Sequence, residues 1–154
     1  MSYDQTLTRV ETYFDKTATK TWERLTSDAP VSKIRETVRQ GRDQMRARLL
    51  AELPEDLHGT RVLDAGCGAG PTTIELAARG AHVVAIDVSP ALIDIARQRL
   101  PRALYKQVEF CSGDMLAASL GYFDYVVAMD SLIYYSADDI KTALTGLAKR
   151  TSGS

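Results

Sequence analysis

One run restricts this chain more than any other: Val62-Leu63-Asp64-Ala65-Gly66-Cys67-Gly68-Ala69-Gly70, followed directly by Pro71. Val62 and Leu63 suit the interior of a buried strand. The glycines let backbone approach a ligand where any Cβ would clash. Proline suits a first helical turn, because its missing N–H would have no intrahelical partner there. The run therefore predicts a strand that breaks into a glycine loop and restarts as a helix. The next apolar run, His82-Val83-Val84-Ala85-Ile86, ends in Asp87. A carboxylate at that strand tip, about 20 residues beyond the glycines, is placed to hold a ribose diol.

Composition narrows the class. A chain of 154 residues is enough for one compact domain. Hydrophobic content of 45% and charged content of 25% match a soluble globular protein, and a net charge of −1 gives no reason to expect nucleic acid. No apolar stretch approaches the roughly 20 residues of a spanning helix, and the polar N-terminus does not read as a signal peptide. Cys67 and Cys111 lack metal-ligand spacing, so free thiols in a reduced cytoplasmic setting are expected, with no protein metal site. His58 and His82 stand alone in the sequence, and neither is read as a ligand or base.

The N-terminal part reads as helical. Leu7, Val10 and Phe14 share one face, and Ile34, Val38, Met45 and Leu49 form a second stripe. Thr26-Ser27-Asp28-Ala29-Pro30 marks a loop between them. After Pro54 the pattern alternates, predicting strands at 61–65, 82–87, 107–111 and 123–129 and helices at 71–79, 90–100 and 137–149. Gly80 ends the first of these helices, Ser89-Pro90 starts the second, and the third runs from Asp138-Asp139 to Lys149-Arg150, as a helix dipole prefers. Such alternation means an α/β fold with a parallel sheet and crossover helices.

The glycine spacing selects the nucleotide. A dinucleotide fingerprint needs Gly-x-Gly-x-x-Gly, so that a helix N-terminus meets the pyrophosphate. Here the third glycine comes one residue early and Pro71 takes its place, removing an amide that a phosphate would use. Asp64, just before the loop, would repel a pyrophosphate and suit a cationic ligand. The run resembles motif I (D-x-G-x-G-x-G) of class I S-adenosylmethionine (SAM) methyltransferases. SAM carries a sulfonium and an ammonium and no phosphate.

Further segments resemble one family, the magnesium-protoporphyrin IX methyltransferases of (bacterio)chlorophyll synthesis. They are Val10-Glu11-Thr12-Tyr13-Phe14-Asp15 with Trp22 after it, Lys33-Ile34-Arg35, and Val38-Arg39-Gln40-Gly41-Arg42. The glycine run, Asp87-Val88-Ser89-Pro90, and Phe123-Asp124-Tyr125-Val126-Val127-Ala128-Met129-Asp130-Ser131-Leu132-Ile133-Tyr134-Tyr135 complete the likeness. It covers nearly the whole chain and is greatest to the purple-bacterial branch. Members from oxygenic phototrophs tend to carry His where Tyr134 stands, so no histidine-dependent role is expected.

The resemblance implies a Rossmann-like sheet with an N-terminal helical lid at 1–55 and the first part of the SAM-binding domain at 56–154. It implies SAM as co-substrate and methylation of a propionate carboxylate of magnesium-protoporphyrin IX, with magnesium only as part of that substrate. The porphyrin-carrying subunit of magnesium chelatase is the implied partner, and a cytoplasmic location at the edge of the photosynthetic membrane is the implied setting. By position, Asp64, Gly66, Gly68 and Gly70 would shape the SAM loop, with Ala65 and Cys67 offering backbone. Asp87 would hold the ribose and Val88 would pack on the adenine. Asp114 would accept from the adenine amino group while Met115 covers the ring, and Asp130 would face the methionine end. Arg39 or Arg42 would pair with the SAM carboxylate or a substrate propionate. Tyr13, Trp22, Tyr134 and Tyr135 would form the porphyrin side. The basic run of Lys33, Arg35, Arg39, Arg42, Arg46 and Arg48 reads as a solvated face, or as one that also meets anionic lipid.

The chemistry fits a sequence without a catalytic triad. A propionic acid has a reference pKa near that of Glu, about 4.3, so the nucleophile arrives ionised. Alignment and removal of water remain, and no general base is required. The predicted fourth strand would leave an exposed apolar edge, which intact domains avoid, so the chain is expected to be the N-terminal part of a longer enzyme. Two other readings share the cofactor residues: a quinone-precursor O-methyltransferase and a non-catalytic SAM-binding module.

Overall fold

The computed structural model describes residues 3–12, 33–116, 120–129 and 137–148. Two helices come first, α1 (Tyr3–Thr12) and α2 (Lys33–Ala51). The alternating part follows as β1 (Arg61–Ala65), α3 (Pro71–Ala78), β2 (His82–Asp87) and α4 (Pro90–Arg99). A 3₁₀ turn (Arg102–Gln107), β3 (Val108–Ser112), β4 (Tyr125–Val127) and α5 (Ala137–Ala148) complete it. The strands form one parallel sheet in the order β3-β2-β1-β4. The chain reverses its direction of travel across the sheet between β1 and β4, and such a switch point is where open α/β sheets bind ligands, outside the strands' C-terminal ends.

Register brings the site residues to that edge. Ala65 pairs with Ile86 at the end of β1, and Asp87 pairs with Ser112 at the ends of β2 and β3. Side chains alternate across the sheet with period two. Val62, Val83, Ala85 and Val127 face a core completed by Leu76, Ala77, Ile93 and Leu50 from the helices. Leu63, Ala65, Val84 and Ile86 face the opposite core, closed by Met115, Phe123 and Leu147 of α5. Both faces of the central strands are therefore covered, as parallel sheets require.

β4 is shorter than the 123–129 predicted. Arg61 accounts for the difference. Its guanidinium lies 4.2 Å over the Phe123 ring and donates to the carbonyls of Tyr122 (2.6 Å) and Leu120 (2.9 Å). Its backbone N–H donates to the Asp124 carboxylate at 2.8 Å, while Asp124 N–H donates back to the Arg61 carbonyl. Phe123 and Asp124 thus lock the approach to the strand, and the ladder itself runs only from Tyr125 to Val127, at the sheet edge. The 3₁₀ turn was not predicted. It starts after Pro101, and the Gln107 side-chain amide ties its end to the carbonyls of Ala77 (2.9 Å) and Ala81 (3.2 Å).

The stripe on α2 faces outward, contrary to its apolar character. Ile34, Val38 and Met45 are exposed, and only Leu49 and Leu50 at the C-terminal end join the core. Arg79 explains the anchoring, because its guanidinium donates to the carbonyls of Leu50 (2.8 Å), Leu53 (3.4 Å) and Pro54 (3.2 Å) at that helix end. On α1, Val10 is buried as predicted and packs with Ala69, Leu92 and Ile95, with Val88 beside them. Its partner in the predicted face, Phe14, lies outside the described residues.

Candidate functional site

The glycine loop is held together by its own backbone. Gly66 and Cys67 N–H both donate to the Ile86 carbonyl (2.8 and 3.0 Å), and Gly70 N–H donates to the Cys67 carbonyl (3.0 Å). Gly68 N–H donates to Asp87 Oδ2 at 2.9 Å. Pro71 has no N–H to offer. Four loop amides, of the kind that cradle a pyrophosphate in a dinucleotide site, are thus engaged internally. Gly66 and Cys67 therefore offer no amide to a ligand.

Gly70 shows why glycine is needed at the loop's end. Its φ of 89° is left-handed, and a Cβ there would lie 3.1 Å from Ala96 Cβ on α4. A side chain at this position would therefore strain the backbone and crowd Ala96.

Asp87 is the hub of the rim. Besides Gly68, its carboxylate accepts from Ser89 N–H (Oδ1, 3.0 Å), and its carbonyl accepts from Gly113 N–H at 2.9 Å. These two bonds fix the orientation of the carboxylate at the strand tip. Ser89 itself is fully buried and caps α4, its hydroxyl accepting from Leu92 N–H at 3.2 Å. The Gly113 bond draws the loop after β3 to the β2 tip, which brings half-buried Asp114 to the same rim. Asp114 Oδ1 accepts from Leu116 N–H at 2.9 Å, an Asx-type turn that fixes its direction. Val88 is half-buried beside Val10 and Ala69.

Two of the expected cofactor-site residues are buried. Met115, expected across the adenine, is 5% exposed and packs under the sheet with Ile86 and Leu63. Asp64, expected to suit a cationic ligand, is 1% exposed and accepts from Thr73 Oγ1 at 2.6 Å. It shapes the loop from below, joining β1 to the first turn of α3. Thr73 escaped the sequence reading. Its signal was a hydroxyl two residues after a helix-starting proline, nine residues beyond the strand-end acid. Cys67 is buried, its thiol 3.7 Å from the Gly68 carbonyl, and burial beside Asp64 and Asp87 raises its pKa well above the usual thiol range. It is not a nucleophile in this state.

Burial pushes the Asp64 carboxyl up to about 6, against the Thr73 hydrogen bond and with help from the negative charge of Asp87. The unfolded reference is 3.8. Between those values the folded protein keeps a proton that the unfolded chain has released, so stability falls as pH rises through the window and is level above it. A displacement of about two pH units corresponds to about 3 kcal/mol. Asp64→Asn keeps an acceptor for Thr73 and cannot ionise. Its stability relative to the wild type should climb by about that amount between pH 4 and pH 7 in urea unfolding. A constant difference across this range would show that Asp64 is not protonated in the fold.

Arg39 and Arg42 are half-buried on α2, and Arg39 lies 3.2 Å from Glu36. Asp130, Tyr13, Trp22, Tyr134 and Tyr135 lie outside the described residues. Among the described residues no cluster of His, Cys, Asp and Glu forms a metal site, and no helix is long and apolar enough to cross a membrane.

Comparison with known proteins matches residues 62–152 to the methyltransferase domain family. The chain is 63% identical to the magnesium-protoporphyrin O-methyltransferase of Rhodobacter capsulatus over 150 residues, covering 97% of this chain and 67% of that protein. It is 34% identical to the enzyme of the same name from Synechocystis, covering 92% of this chain and 63% of that protein. The chain thus spans about two thirds of the length of these relatives. The crystal structure of magnesium protoporphyrin IX methyltransferase from Synechocystis with bound SAM superposes with a TM-score of 0.83 at 31% identity, covering 96% of this chain and 72% of that one.

Proposed function

Because the chain belongs to the methyltransferase domain family and, within it, to the magnesium-protoporphyrin O-methyltransferases, we propose that it transfers a methyl group from SAM to a propionate carboxylate of magnesium-protoporphyrin IX. The product is the monomethyl ester, a step of bacteriochlorophyll synthesis. The observation that carries the cofactor assignment is the polarity of the loop: the amides of Gly66, Cys67, Gly68 and Gly70 are engaged internally and acids line its rim. SAM supplies a methyl group already activated by its positive sulfur. Asp87 would hold the ribose hydroxyls, Asp114 the adenine amino group, and loop carbonyls the ammonium.

The chain's own residues then have a limited task. A propionate is ionised at neutral pH, so no side chain need remove a proton. The protein must align the carboxylate with the methyl group and keep water away. The packing of α1 on Ala69 covers part of the loop and contributes to that exclusion. Magnesium stays within the porphyrin.

On the same reading the protein works in the cytoplasm at the periphery of the photosynthetic membrane and receives its porphyrin from the carrying subunit of magnesium chelatase. Exposed Lys33, Arg35 and Arg48 on a helix that also exposes Ile34, Val38 and Met45 support contact with anionic lipid. The substrate assignment is tested by incubating the purified protein with SAM and, separately, magnesium-protoporphyrin IX or a catechol quinone precursor. Chromatography with mass detection should find a methyl ester of the porphyrin and no ether of the catechol. The reverse pattern would replace this assignment with the quinone one.

A further inference from the structure

We propose that the first turn of α3, through the Thr72 hydroxyl and the backbone N–H groups of Thr72 and Thr73, receives the amino-acid carboxylate of the cofactor, a role that rests on the methyltransferase reading above. The N-cap of α3 is Gly70, so no side chain caps the helix, and Pro71 brings no N–H. The Gly70 carbonyl accepts from Ile74 N–H at 3.0 Å, and the helical ladder begins with that bond. The N–H groups of Thr72 and Thr73 come before it, and among the described residues no carbonyl or side chain accepts from them. Both residues are buried, at 5% and 0% exposed, so bulk water does not take the missing place. Buried backbone donors left in this way are rare in folded proteins.

The two hydroxyls differ. Thr73 donates to Asp64 Oδ2 at 2.6 Å and is answered. Among the described residues no hydrogen bond engages the Thr72 hydroxyl, although the side chain is buried. Thr72 shares a helical face with Leu76, four residues on. Leu76 packs in the core with Val62 of β1 and Val127 of β4. A helical side chain leans toward the N-terminus of its helix, so Thr72, one turn above Leu76, leans over the C-terminal ends of β1 and β4. That is the switch point, where the order of the sheet reverses.

With the ribose at Asp87 on the β2 tip and the adenine at Asp114 beyond β3, the methionine end of SAM would extend the other way, over β1. There it would meet three donors at the positive end of a helix. A carboxylate is the group of SAM that such a set fits, and the neighbouring ammonium offsets the charge of Asp64 and Asp87. No motif of the family likeness includes Thr72.

The test is calorimetry on the whole chain with SAM and with decarboxylated SAM, which keeps the sulfonium, amine, ribose and adenine. Thr72→Val removes the hydroxyl and keeps the shape. It should weaken SAM by roughly 10-fold and leave decarboxylated SAM unchanged, while Thr72→Ser should bind SAM as the wild type does. Should Thr72→Val fail to fold, Thr72→Ala gives the same comparison. Equal weakening of both ligands, or an unchanged SAM affinity in a variant with wild-type melting, would overturn the proposal. So would a wild type that binds the two ligands equally. Carboxylate-selective SAM binding in a protein that leaves the porphyrin unmethylated would overturn the functional reading and leave the receptor standing. Absence of SAM binding would overturn both.

Discussion

Replacing Asp87 by alanine is expected to raise the SAM dissociation constant by roughly 30-fold or more. Two charge-assisted hydrogen bonds to the ribose are worth on the order of 2–4 kcal/mol, and each 1.4 kcal/mol is tenfold. The structure adds a second loss of the same sign. Asp87 Oδ2 holds Gly68 N–H and Oδ1 holds Ser89 N–H, so the alanine variant also releases the glycine loop from the β2 tip. Asp87→Asn keeps one acceptor oxygen and turns the other position into a donor, against an N–H that is itself a donor. It should therefore weaken binding by an intermediate amount. Calorimetry on both variants checks the order, and unchanged affinity in Asp87→Ala would remove Asp87 from the cofactor site.

Much of this site was legible because its residue types have few other uses. A strand-end acid, alternating glycines and a proline in series allow little except a strand, a tight loop and a helix, and the structure has β1, the loop and α3 there. Periodicity was weaker. It groups Ile34, Val38 and Met45 on one face of α2 but cannot say which face turns inward. That choice came from Arg79 and Glu75, distant in sequence, which hold the helix by its carbonyls and by Arg46. The length of β4 was hidden for the same reason, since Arg61 locks Phe123 and Asp124 from the neighbouring strand β1, some sixty residues away in sequence. The depth of Asp64 and Met115 was not legible, because a loop-flanking position in sequence does not distinguish the cleft side from the core side. Depth is a property of the packed sheet, and it placed both inside.

Deleting residues 1–28 is expected to abolish methyl transfer while SAM still binds. Magnesium-protoporphyrin is a flat, apolar dianion, and its site needs an aromatic wall together with a covered, dry cleft. Tyr13 and Trp22 are the candidates for that wall, and the deletion removes them. It also removes α1, whose Val10 packs on Ala69 of the glycine loop and on Leu92 and Ile95 of α4. Water would then reach the reacting carboxylate, and the desolvation that drives the transfer would be lost. The cofactor contacts should survive, because Asp87 and Asp114 are fixed by backbone N–H groups of Gly68, Ser89 and Leu116, all within the sheet domain. A milder change separates the two losses: Val10→Ala keeps the aromatic residues and loosens the cover, so it should lower turnover without changing porphyrin affinity. The measurement is paired on each variant, SAM affinity by calorimetry and ester formation by chromatography. Full turnover in the deletion would mean that the N-terminal segment only packs, and that the porphyrin wall is built from other parts of the protein.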